Sequence, residues 1–125
     1  MTYGTPFVRD INNPHIELFA GDFPVESKPI VLASGQDAKM GWVLGKVTAT
    51  GEYKLSAKAA NDGSQVPSVI LVDDYDATLA TCPAEAYLSG SFNENAIAFG
   101  AGWTLEEIRT ELRKLSIFVK PVIAA

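Results

Sequence analysis

The side chains that could do chemistry are few and scattered. His15 is the single histidine and follows Pro14. It lies far in sequence from any candidate nucleophile, and no serine stands in the Gly-x-Ser-x-Gly context of a nucleophile elbow. It reads as a surface or packing residue. Gly41-Trp42-Val43-Leu44-Gly45-Lys46 has the outline of a phosphate loop. Its spacing is one residue short, and Val47 stands where Ser or Thr must meet magnesium. Asp73-Asp74-Tyr75-Asp76 offers oxygen ligands, but it lacks the glycine turn and the distal glutamate of an EF-hand calcium loop. Cys82, the single cysteine, precedes Pro83 and has no cation nearby in sequence to lower its pKa. It can form no disulfide within the chain, and no metal-type Cys/His spacing is present. The residues therefore predict no catalytic site, no metal site and no cofactor.

Charge narrows the choice of partner. The net charge is −5, and no Lys or Arg occurs between Lys58 and Arg109. That stretch carries Asp62, Asp73, Asp74, Asp76, Glu85, Glu94, Glu106 and Glu107. A phosphate backbone attracts clustered cations, so nucleic acid is not expected as a partner, nor is an anionic membrane surface. No apolar run approaches the ~20 residues that span a bilayer. The start, Met1 to Pro6, lacks a basic region followed by an apolar stretch and does not read as a secretory signal. Folding in a cytoplasm is expected.

With 125 residues, of which 47% are hydrophobic, the chain can bury a core without staples. Residues 1–28 read as an extended N-terminal arm, broken by Pro6, Pro14 and Pro24 and turned at Asn12-Asn13-Pro14. The arm nonetheless carries Ile16, Leu18, Phe19, Phe23 and Val25. Residues 29–125 read as a β-rich domain. Ile30-Val31-Leu32 is a strand ended by Ser34-Gly35. Trp42 to Thr48 is a second, with Tyr53-Lys54-Leu55 as its hairpin partner. Asn61-Asp62-Gly63 is a turn. Ser68 to Val72 is short, β-branched and apolar throughout, which predicts a strand buried on both faces. Asp73 to Ala80 reads as loop. Ala84 to Phe92 alternates around Ala86, Leu88 and Gly90 and predicts another strand. Ala96 to Phe99 is a further candidate, and Ile117-Phe118-Val119 is the last.

One helix is expected, over about 104–115. Thr104-Leu105-Glu106-Glu107 fits a capping box, and the two glutamates suit the positive end of the helix. Leu105, Ile108, Leu112 and Leu115 recur at steps of three and four and define one apolar face. The helix is expected to cover an open end of a small sheet or barrel.

Several segments, in order, carry a resemblance. They are Leu18-Phe19-Ala20-Gly21-Asp22-Phe23-Pro24-Val25; Val31-Leu32-Ala33-Ser34-Gly35-Gln36 leading to Gly41-Trp42-Val43-Leu44-Gly45-Lys46-Val47; Asp62-Gly63-Ser64-Gln65 before Val69-Ile70-Leu71; Tyr87-Leu88-Ser89-Gly90-Ser91-Phe92-Asn93-Glu94; and the capped helix leading to Leu115-Ser116-Ile117-Phe118. Together they cover most of the chain. The chain resembles the head-decoration proteins of tailed bacteriophages, the family typified by the lambda capsid decoration protein. The resemblance implies a mainly β, small barrel-like domain of the β-clip or β-tulip type. It implies a homotrimer bound to the major capsid protein at local threefold positions of the expanded shell, stabilising the DNA-filled head. The protein would be made in the host cytoplasm and reside on the virion exterior. No catalysis and no cofactor are implied.

The family's arm orders on the capsid, and the physics of this arm is compatible with that. Ordering so many residues costs more backbone entropy than five apolar side chains offset, so a partner must also supply backbone hydrogen bonds, as strand addition does. Ile16, Leu18, Phe19, Phe23 and Val25 are then the expected capsid-facing anchors. The competing reading makes Leu18 to Val25 the first strand of the body, packed internally. A different functional class also stays open: a β-module that binds a glycan or other small ligand through Trp42, Trp103 and Tyr75, although these lie in unrelated segments.

Overall fold

The computed structural model describes residues 18–19 and 24–121. Eight strands and one helix follow one another: β1 Glu26–Leu32, β2 Gln36–Ala38, β3 Val43–Lys46, β4 Tyr53–Leu55, β5 Pro67–Leu71, β6 Tyr75–Ala77, β7 Cys82–Asn93, α1 Leu105–Arg113 and β8 Ile117–Lys120. Five of them close a small mixed barrel. The order β1-β4-β3-β5-β7 returns to β1 through an antiparallel ladder that runs from Glu26↔Ser89 to Leu32↔Cys82. The β1–β4 seam is parallel and short: it consists of Leu32 opposite Tyr53, extended by the Ala33 N–H bonded to the Tyr53 carbonyl at 2.8 Å. The chain is thus mainly β with one late helix, as its short apolar runs predict.

Alternation along the strands builds two cores. Ile30, Leu32, Leu44, Val69, Leu71, Ala84 and Ala86 point into the barrel. Val43 and Ile70 point out of it, into a second cluster with Leu18, Phe92, Ile108, Leu112, Ile117 and Val119. β5 is therefore covered on both faces, which explains its unbroken apolar run.

β7 is the spine. At its far end β8 joins it in parallel, Gly90↔Ile117 to Asn93↔Lys120. Between Tyr87 and Ser89 the pairing with β1 slips by one residue: Ser27 faces Tyr87, but Glu26 faces Ser89. Leu88 is the extra residue of a β-bulge, which turns the following side chains to the opposite face. The expected alternation Ala86-Leu88-Gly90 breaks there. Ala86 is buried in the barrel, Leu88 is exposed, and Phe92 reaches the outer core.

α1 starts as its sequence predicts. The Thr104 hydroxyl accepts from the Glu107 N–H at 3.2 Å, and the Glu107 carboxylate accepts from the Thr104 N–H at 3.1 Å. Two expectations need correction. The helix does not cover a barrel end: Ile108 and Leu112 lie in the outer core, against the side of the wall. Leu115 does not belong to the buried face. The helix is capped at Lys114, and Leu115 is 43% exposed. Arg109 fixes the helix to its surroundings, donating to the Val119 carbonyl at 3.0 Å and pairing with Glu94 and Glu106.

The stretch Asp73 to Ala80, read as loop, contains β6. It pairs antiparallel with β2 as a separate two-stranded sheet, whose Ala38 and Ala77 are fully buried against the barrel core. Ala96 to Phe99 forms no strand; it makes one bridge, between Ala98 and Trp42.

Candidate functional site

Of the residues proposed from the sequence as anchors, Leu18, Phe19 and Val25 are described. Ile16 and Phe23 lie outside the described residues, as does His15. Leu18 is 7% exposed and sits in the outer core, and its carbonyl accepts the Asn93 N–H at 2.6 Å. Phe19 bridges antiparallel to Phe92. Its ring lies edge-on to Tyr87 and tilted to Phe92, with both centroids 5.3 Å away. Offset and edge-on pairs at that separation add attraction beyond simple area burial. Phe19 nevertheless remains 37% exposed.

Val25, immediately before β1, is 41% exposed. Its surroundings are held by Ser89, whose hydroxyl donates to the Pro24 carbonyl at 3.0 Å and accepts from the Glu26 N–H at 3.1 Å. Gly90 makes room for this entry: a Cβ there would stand 3.0 Å from the Phe92 ring and 3.4 Å from Val25 Cγ2. Exposed Leu88 lies on the same stretch of β7. The receiving residues Tyr87, Ser89, Phe92 and Asn93 were not legible as such. They stand about seventy positions downstream of the arm, and no local pattern announces a pairing at that distance.

The other chemical candidates resolve into structure. Gly45 and Lys46 lie in β3, so the phosphate-loop outline is strand. The Asp73 and Asp74 carboxylates accept the N–H groups of Asp74 and Met40, both at 2.8 Å. Asp76 accepts from the hydroxyl and N–H of Thr78, which hold its carboxyl below the ordinary value. Among the described residues no group of three His, Cys, Asp or Glu side chains converges as a metal site. The Cys82 thiol donates to the Pro83 carbonyl at 3.3 Å.

Trp42 and Tyr75 pack against the barrel core, whereas Trp103 packs against the outer one, so the three aromatics share no platform. The face of Trp103 is occupied by the Lys58 ammonium, 5.6 Å from the ring centroid and paired with Glu107 at 2.5 Å. Lys58 and the Thr104 N–H hold the Glu107 carboxyl below its usual value. No described helix is long and apolar enough to cross a membrane.

What the structure assembles is therefore a seat on the outer wall of β7, where Leu18, Phe19 and the Pro24-Val25 entry to β1 are received, with exposed apolar side chains beside it. A family model described as bacteriophage lambda head decoration protein D matches residues 10–118. No curated protein matches the chain.

Proposed function

The chain belongs to the bacteriophage lambda head decoration protein D family, which is structural and not enzymatic, and from that premise we propose that it seats on the outer face of a phage shell as a homotrimer and stabilises the expanded, DNA-filled head. The capsid-binding role follows from the family. The trimer, the stabilisation and the residues that meet the shell are the proposal. The observation that carries it is the extent of the match, which runs from the arm through the barrel and helix into β8.

The arm, shortened to residues 1–25 because Glu26 to Lys28 belong to β1, is the shell-binding element in this reading, and the major capsid protein is its partner. Ile16, Phe23 and Val25 would face the shell. Val25 keeps the exposed surface such a role requires. A trimer carries three arms, so contacts that are weak singly act together once one arm is engaged. The protein would then reside on the virion exterior after synthesis in the host cytoplasm.

Co-sedimentation with empty expanded shells tests the binding, and sedimentation of the purified protein alone tests the trimer. Removal of residues 1–15 should leave a folded trimer that no longer pellets with shells. A truncated protein that still decorates them would refute the assignment of binding to the arm.

A further inference from the structure

We infer that Leu18 and Phe19 are not shell contacts but the root of the arm, a two-residue clamp on β7 that stays closed when the protein is bound and fixes where the arm leaves the body. The inference rests on the reading that residues before 18 bind the shell, and it assigns a positioning role within that reading.

Three observations carry it. Leu18 is buried among Ile70, Phe92, Ile108 and Leu112, side chains from two strands and the helix. Leaving that position would open a hole in a core the body needs. The Leu18 carbonyl takes the Asn93 N–H at 2.6 Å, so release would also strand a donor on a buried residue. Phe19 closes the clamp from outside, with its ring against both Tyr87 and Phe92. Backbone pairing, apolar burial and aromatic contact thus act on two consecutive residues. A segment destined to peel away onto another surface would have to break all three. The clamp lies directly beyond the end of the β1 ladder, so β7 is flanked by β1 from Cys82 to Ser89 and by the arm root at Phe92 and Asn93.

The consequence is geometric. The reach of the arm is measured from a fixed point on the outer wall rather than from the start of β1.

A reversible lock tests this. Bridge partners on antiparallel strands stand close enough for a disulfide, so Phe19→Cys with Phe92→Cys, in a Cys82→Ser background, can be compared oxidised and reduced in one preparation. The oxidised form, in which the disulfide replaces the aromatic contact, should pellet with empty shells at least as well as the reduced form does. Binding abolished by oxidation and restored by reduction would overturn the clamp.

The unmodified protein supplies a second arm, should the substituted one fold poorly. The Asn93 amide should be protected from hydrogen exchange in the free protein and remain so on the shell; loss of protection on binding overturns the inference. Removing residues 1–17 separates the two proposals. Loss of shell binding with an unchanged melting temperature supports both. Retained binding overturns the arm reading, and with it a root that positions the arm. An oxidised lock that fails to bind, while the truncation also fails, overturns the clamp alone.

Discussion

The two cores are built from the same strands and behave as different kinds of structure. The barrel interior draws mostly on ladder strands that pair directly with one another, with Ala38 and Ala77 added from the β2–β6 sheet. The outer core draws on Leu18 at the arm root, on the reverse faces of β3, β5 and β7, and on α1 and β8. Its members run from residue 18 to residue 119. The interior is a property of the barrel itself. The outer core is where everything appended to the barrel is fastened, the arm included. Damage to the outer core should therefore reach the arm, whereas equal damage to the interior should lower stability and leave the arm seated in whatever remains folded.

The severest break is Leu112→Glu. Leu112 is fully buried in the outer core, and a carboxylate there has no cation in the apolar cluster to pair with. The expected loss is about 4 kcal/mol or more, read as a lowered thermal midpoint or a chain that no longer folds. An unchanged melting temperature would mean that the helix does not pack as described.

A matched pair sharpens the comparison. Phe92→Ala in the outer core should cost about 3–5 kcal/mol, and Leu44→Ala in the interior about 2–5 kcal/mol. Both side chains are completely buried. Only Phe92→Ala should detach the arm root, because Phe19 stacks on that ring. Local exchange of the Asn93 amide, compared with the globally protected amides of β5, distinguishes them. If Leu44→Ala loosened Asn93 as much, the two cores would not be separable units.

A smaller perturbation at the boundary is Gly90→Ala. Gly90 has φ +145°, a region L-residues rarely adopt, and its new Cβ would press on the Phe92 ring at 3.0 Å. Strain and crowding together should cost about 2 kcal/mol. The damage should concentrate at Phe92 and the Val25 entry rather than in the barrel.

Much of this architecture is legible in the sequence because local physics decides it. The capping box at Thr104 and Glu107 forms as written, and the Asn61-Asp62-Gly63 turn and the β3–β4 hairpin follow from their turn chemistry. β5 announces itself because both its faces are buried. The unread parts depend on partners far along the chain. β2 and β6 are three residues each, too short for an alternation to show, and they become a sheet only by pairing with one another across the chain. The bulge at Leu88 is set by the register against β1, which no pattern within β7 encodes. Leu18 and Phe19 look like any apolar pair on an arm, and the choice between shell anchor and internal strand could not be made locally. The parallel pairings, β1–β4 and β7–β8, likewise join residues far apart in the chain.

Acid should probe the two regions with the weakest force. Asp62, in the turn before β5, pairs with Lys54 of β4 at 2.6 Å and accepts from Ser64. The Lys54 hydrogen bond, then those from Ser64, hold its carboxyl far below the ordinary value of 3.8. Glu107, at the helix start, is lowered from 4.5 chiefly by Lys58. A carboxyl whose folded pKa is depressed stabilises the fold above its unfolded value, and that contribution drains away as pH falls toward the folded one. Both latches should therefore be intact at neutral pH, begin to weaken below about pH 4.5 at the helix and below about pH 3.8 at the barrel, and be lost in stronger acid. Both carboxyls are solvent-reachable and screened, so the effects are small. Asp62→Asn and Glu107→Gln should each lower the melting temperature slightly at pH 7. The gap to the parent protein should close on acidification, first for Glu107→Gln and only at lower pH for Asp62→Asn. A gap that stayed constant down to pH 2 would mean that neither charge is what holds its end of the molecule.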